Sequence, residues 1–130
     1  MSISSIDNFN YFSDERGDLI PIYKNVVPFE IQRMFYISNV PENIFRGGHA
    51  HKTTRQYLIC LSGQLDVILK NSKCQETYNL IKNQGIYIPE LIWDEQKFLQ
   101  PDTNILVLCS TPYNQDDYIR DFSNFINYVK

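Results

Sequence analysis

The residues of this chain best suited to chemistry are its only two histidines, His49 and His51. In an extended strand, side chains alternate between faces, so the His-x-His spacing places both imidazoles on one face. An imidazole has an ordinary pKa of about 6.5 and can accept or donate a proton near neutral pH. The pair therefore predicts either proton transfer or metal binding at one face of a strand.

Two later residues extend this spacing. Gln56 and Gly63 complete the pattern His-x-His-x4-Gln-x6-Gly, which resembles the first motif of the cupin barrels, with glutamine in place of glutamate. A catalytic metal usually takes about three protein ligands, often two histidines and a carboxylate. Gln56 is neutral, no third histidine exists, and Cys60 and Cys109 lie in apolar runs that we expect to be buried. We therefore expect no metal and no cofactor, and we favour proton transfer over a purely structural role for the histidines.

Length and composition exclude several classes of protein. A chain of 130 residues with 43% hydrophobic residues predicts a single globular domain spanning residues 1–130. Its net charge of -3 argues against a nucleic-acid-binding protein, which normally carries a basic surface. The apolar runs are too short to cross a membrane, and the N-terminus lacks a signal-peptide pattern. Three irregularly spaced cysteines favour a reducing cytoplasm.

Short β-type segments separated by turn residues dominate the chain. This arrangement is typical of an all-β jelly-roll barrel. Towards the end the period changes, and apolar residues recur every three or four positions from Tyr118 to Val129, which predicts a short C-terminal helix. Besides the histidine strand, the predicted strands cover residues 19–24, 33–38, 55–61, 64–70, 76–80, 86–89 and 105–109.

Several stretches together carry a family resemblance. They are DERG at 14–17, RMFYI at 33–37, RGGHAHK at 46–52 with Gln56, Pro89 with Trp93 and Phe98, and DYIRDF at 117–122. In these segments the chain resembles the sugar-nucleotide 3,4-ketoisomerases, the WxcM-like cupins that act on dTDP-4-keto-6-deoxyhexoses. The resemblance covers nearly the whole chain, and its most specific parts are the histidine motif and the late DYIRD.

This resemblance implies a metal-free jelly-roll enzyme that moves a ketone from C4 to C3 of the hexose. Members are usually homodimers with exchanged N-terminal strands, and their products are aminated for surface polysaccharides such as an O-antigen or S-layer glycan. The family's catalytic histidines fall on His49 and His51.

The chemistry of the substrate supports roles for both histidines. A proton at C3 is acidified by the neighbouring C4 ketone, because the resulting carbanion delocalises as an enediolate, so a neutral imidazole can remove it. We predict that His51 is this base. His49 would move protons between O3 and O4 or stabilise the enediolate.

Further residues are candidates for substrate binding. Arg33 and Arg46 could hold the pyrophosphate through bidentate guanidinium contacts, although each could also form an ordinary surface ion pair. Tyr36 could donate a hydrogen bond to the sugar or be a core aromatic. Gln56 could orient a histidine or simply pack in the barrel. We interpret Tyr118 and Arg120 as mainly structural.

The finest prediction concerns the stereochemistry of the product. The N-terminal turn carries Arg16 and Gly17, as in family members that form the galacto product, whereas gluco-forming members carry a bulkier pair. The resemblance therefore implies dTDP-3-keto-6-deoxygalactose.

Three alternative functions stay open at this point. One is a 3,5-epimerase of the same substrates, which would also use a histidine base. Another is a metal-dependent cupin oxygenase or isomerase. The third is a sugar-binding cupin without catalytic activity, such as a regulatory sensor.

Overall fold

A computed structural model describes residues 2–130, which form twelve strands and one α-helix. The N-terminal part contains β1 (Ile6–Asn8), β2 (Phe12–Asp14), β3 (Gly17–Leu19) and β4 (Arg33–Ile37). The central strands are β5 (Ile44–His51), β6 (Gln56–Ser62), β7 (Gln64–Lys70), β8 (Gln75–Ile81) and β9 (Gln84–Ile88). The C-terminal part contains β10 (Trp93–Phe98), β11 (Asn104–Cys109), β12 (Tyr118–Ile119) and α1 (Phe122–Val129).

Two antiparallel five-stranded sheets form the barrel. One has the strand order β1-β9-β6-β11-β4, and the other has the order β12-β5-β10-β7-β8. Alternation in β7 shows how they pack, because Leu65, Val67 and Leu69 are fully buried and face the core between the sheets. The predicted all-β fold with a short terminal helix is confirmed.

Most predicted strands are present within one or two residues of their expected ends. The strand predicted at 19–24 is wrong, because β3 already ends at Leu19 and a single 3-10 turn occupies Lys24–Val26. Pro21 lies in this segment and has no N–H to donate to a sheet. Strand β10 was not predicted, since its polar sequence WDEQKF hides the alternation of its buried residues.

The C-terminal helix is shorter than its apolar spacing suggested. It begins after Asp121, whose side chain accepts a hydrogen bond from the backbone N–H of Asn124 and so caps the first turn. Tyr118, which the spacing placed in the helix, instead belongs to β12 beside β5. Phe125 is fully buried and packs against Trp93, which fixes the helix to the outside of the β10 strand.

The N-terminal segment contains an exposed hairpin of β2 and β3. It forms a two-stranded sheet of its own, and its cross-strand pair Phe12 and Leu19 is mostly exposed. Strand β1 pairs with β9 of the same chain. The exchange of N-terminal strands between two copies stays a prediction. Within residues 2–130, no helix has the length and apolar character needed to cross a membrane.

Candidate active site

The end of β5 places both histidines on the same face, as the spacing predicted. The ring centroids of His49 and His51 lie 5.1 Å apart, and the two ring planes are nearly perpendicular. Strand β10 flanks β5 on one side, with Asp94 opposite His49. Strand β12 flanks it on the other, with Tyr118 opposite His51. The late DYIRD segment is thus brought directly beside the histidine motif.

Two glycines let β5 bend just before the histidines. Gly47 and Gly48 have φ angles of 81° and 77°, in the left-handed region that favours glycine. A side chain at Gly47 would place its Cβ only 2.9 Å from the backbone oxygen of Asp94. The pairing of β5 with β10 shifts register at this point, so these glycines form the bulge that precedes His49.

His51 is held by a buried carboxylate. Its Nδ1 lies 2.9 Å from Oδ2 of Asp117, and both side chains are buried. Asp117 also accepts hydrogen bonds from the backbone N–H groups and the hydroxyls of Thr53 and Thr54. An acceptor at Nδ1 favours the tautomer with the proton on Nδ1. The lone pair of Nε2 is then free to accept a proton.

The other ring nitrogen of His51 has no partner of its own. Nε2 is buried and makes no hydrogen bond with any of residues 2–130. A buried polar atom without a partner is uncommon and calls for an explanation. A substrate group entering beside His51 would supply the missing interaction.

The surroundings keep these groups in the charge states that base catalysis needs. Burial lowers the pKa of His51, although the hydrogen bond and negative charge of Asp117 oppose this shift. Burial, then repulsion from His51 when it is protonated and from the charge of Arg120, lower the pKa of His49 to about 4. Burial alone would raise the pKa of Asp117, but its hydrogen bonds from Thr54, Thr53 and His51 hold that pKa well below its usual range. At neutral pH two uncharged imidazoles therefore lie beside an ionised carboxylate.

Tyr118 and Arg120 complete this cluster. The Tyr118 ring centroid lies 4.4 Å from that of His51 and 5.0 Å from that of His49. The Arg120 guanidinium stacks on the Tyr118 ring at 4.3 Å. The interpretation of both residues as mainly structural missed their place at the site, although the DYIRD motif contained the signal.

A cavity of about 220 Å³ opens beside the histidines between the two sheets. Among the predicted residues it brings together His49, Arg46 and Gln56, whereas His51 is not part of its lining. Gln56 is buried, and its amide donates to Sγ of Cys109 at 3.6 Å. This hydrogen bond to β11 holds the Gln56 side chain in the barrel wall. The full lining consists of Phe35, Ile37, Arg46, Gly47, His49, Gln56, Gln96, Val107, Tyr118 and Arg120.

Arg33 lies close to this cluster. Alternation in β4 turns Arg33 inward together with Phe35 and Ile37. Its guanidinium stacks between the rings of Phe35 and Tyr113, at 5.6 and 5.5 Å, and its positive charge reaches His51. The Nε atom is buried without a hydrogen-bond partner among residues 2–130.

Three predicted substrate-binding residues lie away from the cavity of their own chain. Tyr36 is 74% exposed, because its neighbours Phe35 and Ile37 occupy the inward face of β4. Arg16 and Gly17 lie in the exposed hairpin, where Arg16 pairs with Asp14 at 2.6 Å. Their roles in binding stay predictions.

Potential metal ligands are sparse around the histidines. Across residues 2–130, no three His, Cys, Asp or Glu side chains lie close enough together to hold a metal ion. Besides His49, the polar side chains that line the cavity are two amides, a phenol and two guanidinium groups, which suit polar and anionic ligands.

Comparisons with known proteins agree with this geometry. Residues 2–130 match the model of the family described as FdtA: WxcM-like, C-terminal. The chain belongs to this family. The chain is also 35% identical, over 97% of its length and 92% of the relative's, to TDP-4-oxo-6-deoxy-alpha-D-glucose-3,4-oxoisomerase of Aneurinibacillus thermoaerophilus.

Solved structures of ketoisomerases share the fold. A sugar 3,4-ketoisomerase from Thermoanaerobacterium thermosaccharolyticum, in complex with TDP, is 34% identical with a TM-score of 0.89, covering 98% of this chain and 94% of the other. A TDP-quinovose 3,4-ketoisomerase from Campylobacter jejuni is 38% identical with a TM-score of 0.88, covering 98% and 99% of the two chains. The predictions of the family, of a cupin-like fold and of an isomerase of the sugar 3,4-ketoisomerase class are confirmed.

Proposed function

We propose that the substrate is dTDP-4-keto-6-deoxy-D-glucose, and that the enzyme converts it to a dTDP-3-keto-6-deoxyhexose by proton transfer through an enediolate. The observation that carries this proposal is the buried Nε2 of His51, which lacks a partner while Nδ1 is held by Asp117; the rings of His49 and Tyr118, which lie next to His51, line the cavity. The named substrate of the Aneurinibacillus relative supports the choice of sugar nucleotide.

In the proposed reaction, His51 removes the proton from C3 of the hexose. The C4 ketone accepts the electron pair, so the negative charge forms on O4 and moves to O3 once the O3 proton is transferred to O4. Asp117 stabilises the imidazolium that forms and keeps the ring in its orientation. Returning a proton to C4 and moving the O3 proton leaves the ketone at C3, so atoms and electrons balance without a metal or cofactor.

Groups around the histidines would stabilise the developing charge. His49, whose low pKa keeps it neutral, would pass the proton between O3 and O4. Arg120 places a positive charge near the enediolate. Arg46 at the cavity edge and Arg33 would bind the pyrophosphate, since guanidinium groups match phosphate oxygens bidentately.

Assembly and product follow from the family resemblance. We propose a homodimer with exchanged N-terminal strands, in which the hairpin bearing Arg16 and Gly17 reaches the partner's site and directs formation of the galacto product. The 3-keto sugar would next be aminated for a surface glycan, and the enzyme would act in the cytoplasm. No nucleic-acid or membrane partner is expected.

Proton NMR in deuterated water tests the reaction directly. Incubating metal-stripped protein with dTDP-4-keto-6-deoxyglucose should give a 3-keto sugar with deuterium at C4, and its coupling constants distinguish galacto from gluco. His51→Asn should lower turnover by about 10²- to 10⁴-fold. Cys74→Ser, in an exposed turn away from the site, is the matched control and should keep full activity.

Other outcomes would identify the alternatives. Deuterium at C3 and C5 with the ketone still at C4 would indicate an epimerase. Binding without exchange would indicate a sugar-binding protein. Activity that returns only with added divalent metal would favour a metal-dependent cupin. Near-normal turnover in His51→Asn would contradict the assignment of the base.

A further inference from the structure

A second buried carboxyl group lies on the inner face of the same sheet and has no role in the reaction described above. Asp94 of β10 is opposite His49 and is only 2% exposed. Its Oδ2 accepts a hydrogen bond of 2.8 Å from Nε2 of Gln96. Its Oδ1 is buried and has no hydrogen-bond partner within residues 2–130. This group is costly to bury, so its retention calls for a reason.

Gln96 connects this carboxyl to the cavity. Its side chain lines the cavity together with His49, and Arg46 is its cross-strand partner in β5. Because the amide is fixed at one end by Asp94, only its other end is available to a ligand. A glutamine amide carries a donor on nitrogen and an acceptor on oxygen. The protonation state of Asp94 therefore determines which of these two atoms faces the cavity.

We propose that Asp94 is a positioning residue that acts through Gln96 and sets whether the amide oxygen or the amide N–H faces the hexose. An ionised Asp94 accepts from Nε2, as observed, and leaves Oε1 as an acceptor towards the cavity. A protonated Asp94 donates to Oε1 and turns Nε2 towards the cavity as a donor. This inference rests on the proposed function, since it takes the ligand to be the hexose of a sugar nucleotide.

The two strands that pair with β10 make the carboxyl responsive near neutral pH. Strand β7 contributes apolar Leu69 opposite Asp94. Burial raises the pKa of Asp94 to about 7. The hydrogen bond from Gln96 opposes this rise, and the negative charge of Glu95 adds to it. The remaining charged or titratable groups of these strands are Arg46, His49 and His51 on β5, Asp66 and Lys70 on β7, and Lys97 on β10.

Burial lowers the pKa of His49 to about 4, so His49 stays uncharged between pH 6 and 8. Burial also lowers the pKa of His51, and the His51→Asn substitution removes this group from the binding test described below.

The exchange of donor and acceptor suits a ketoisomerase. In the substrate, O4 is a ketone that can only accept a hydrogen bond, whereas in the product it is a hydroxyl that can also donate. An amide that can present either end is complementary to both forms. One hydrogen bond gained or lost corresponds to a change in affinity of about three- to tenfold.

Calorimetric binding at pH 6 and pH 8 tests this inference without turnover. The probe is TDP-4-keto-6-deoxyglucose, whose O4 can only accept a hydrogen bond, bound to His51→Asn, which lacks the base that starts isomerisation; TDP alone is the matched ligand without the hexose. In His51→Asn, the Kd of this ligand should be about three- to tenfold higher at pH 8 than at pH 6, because ionised Asp94 turns the amide oxygen towards the ketone; the further variants are made in the same background. Asp94→Asn should abolish this change, while the pH dependence of TDP binding should be the same in both proteins.

A second variant covers the case in which Asp94→Asn does not fold. Gln96→Met leaves Asp94 in place but removes the amide, so it should abolish the same pH dependence. An unchanged ratio of Kd values in either folded variant, or an equal change for TDP, would overturn the inference. Failure of the wild type to form a 3-keto sugar would instead contradict the proposed function, since binding is measured independently of turnover.

Discussion

At the scale of single residues, Asp117 acts on His51 in two ways that must be separated. Its charge and hydrogen bond raise the pKa of the imidazole against burial, which lowers it. Its acceptor also fixes the proton on Nδ1. The first effect tunes the strength of the base, and the second determines whether Nε2 can act as a base at all. Both effects depend on Asp117 staying ionised, which the hydroxyls of Thr53 and Thr54 secure.

Asp117→Asn should therefore lower kcat by about 10²-fold or more, because the ring is free to adopt the inactive tautomer. It should also move the acid limb of the kcat/KM profile. In the wild type this limb should lie below pH 6.5, since burial depresses the pKa values of both histidines. Removing the negative charge lowers the pKa of His51 further, so the limb should shift to lower pH.

The neighbouring Asp116→Asn is a matched control. Asp116 is exposed, and its backbone N–H caps the turn through Asn114, so its side-chain charge should not affect the profile. Rate against pH in both variants, measured from pH 4 to 9, checks the prediction. An acid limb that stays in place in Asp117→Asn would show that Asp117 does not set the basicity of the catalytic histidine.

At the scale of elements, strands with clean alternation could be predicted from the sequence and the others could not. Strand β7 alternates apolar and polar residues and was found at its predicted position. Strand β10 buries Asp94 and Gln96 in place of apolar residues, so its pattern resembles a loop. Hydrophobic periodicity indicates burial only where the buried residues are apolar. A strand that buries polar residues for function, such as β10, does not show this periodicity.

The candidate site, like the strands, could be predicted from the sequence only in part. The histidines could be predicted because their spacing alone puts them on one face. The Asp117–His51 contact joins residues 66 positions apart, and it exists because β12 pairs with β5. The apolar spacing of the tail instead placed Tyr118 in a helix. Pairing between distant strands depends on the whole fold, and no local pattern in this chain encodes it.

The bulge in β5 is the element-scale feature that positions His49. Gly47→Ala should destabilise the protein by about 1–3 kcal/mol, because the new Cβ lies 2.9 Å from the Asp94 carbonyl and the residue has a positive φ. Separating β5 from β10 should also displace His49, so kcat should fall by more than the loss of folded protein explains.

Gly48→Ala is the matched control for this substitution. It has a similar φ of 77°, but its Cβ would meet nothing within 4 Å. It should show the backbone cost of about 1 kcal/mol alone, with little change in kcat. Urea unfolding and steady-state rates of both variants check the prediction. Equal effects in the two variants would mean that strain in φ, and not contact with β10, dominates.

At the scale of the whole molecule, two buried groups make stability depend on pH in opposite directions. His49 binds its proton only near pH 4 when folded but near 6.5 when unfolded, so it lowers stability as pH falls between those values. Asp94 keeps its proton up to about pH 7 when folded but loses it near 3.9 when unfolded. It therefore lowers stability as pH rises through that window, and the full cost is present above pH 7.

Asp94→Asn removes the loss of stability that Asp94 causes as pH rises. Relative to the wild type, its free energy of unfolding should rise progressively from pH 4 to pH 8, by on the order of 2 kcal/mol. Urea unfolding at several pH values measures this difference. A difference that is constant with pH would mean that Asp94 is ionised in the folded protein throughout.

The exposed hairpin gives the last prediction, which concerns assembly. Phe12 and Leu19 are 66% and 62% exposed and face one another across β2 and β3, so burying them against a second copy would stabilise a dimer. Light scattering should give twice the chain mass of 15.3 kDa.

The double substitution Phe12→Ser and Leu19→Ser should give monomers and reduce turnover, because Arg16 would no longer reach the partner's site. Ile81→Ser, at an exposed apolar position on β8, should stay dimeric and active, and a monomeric wild type would contradict the proposed strand exchange.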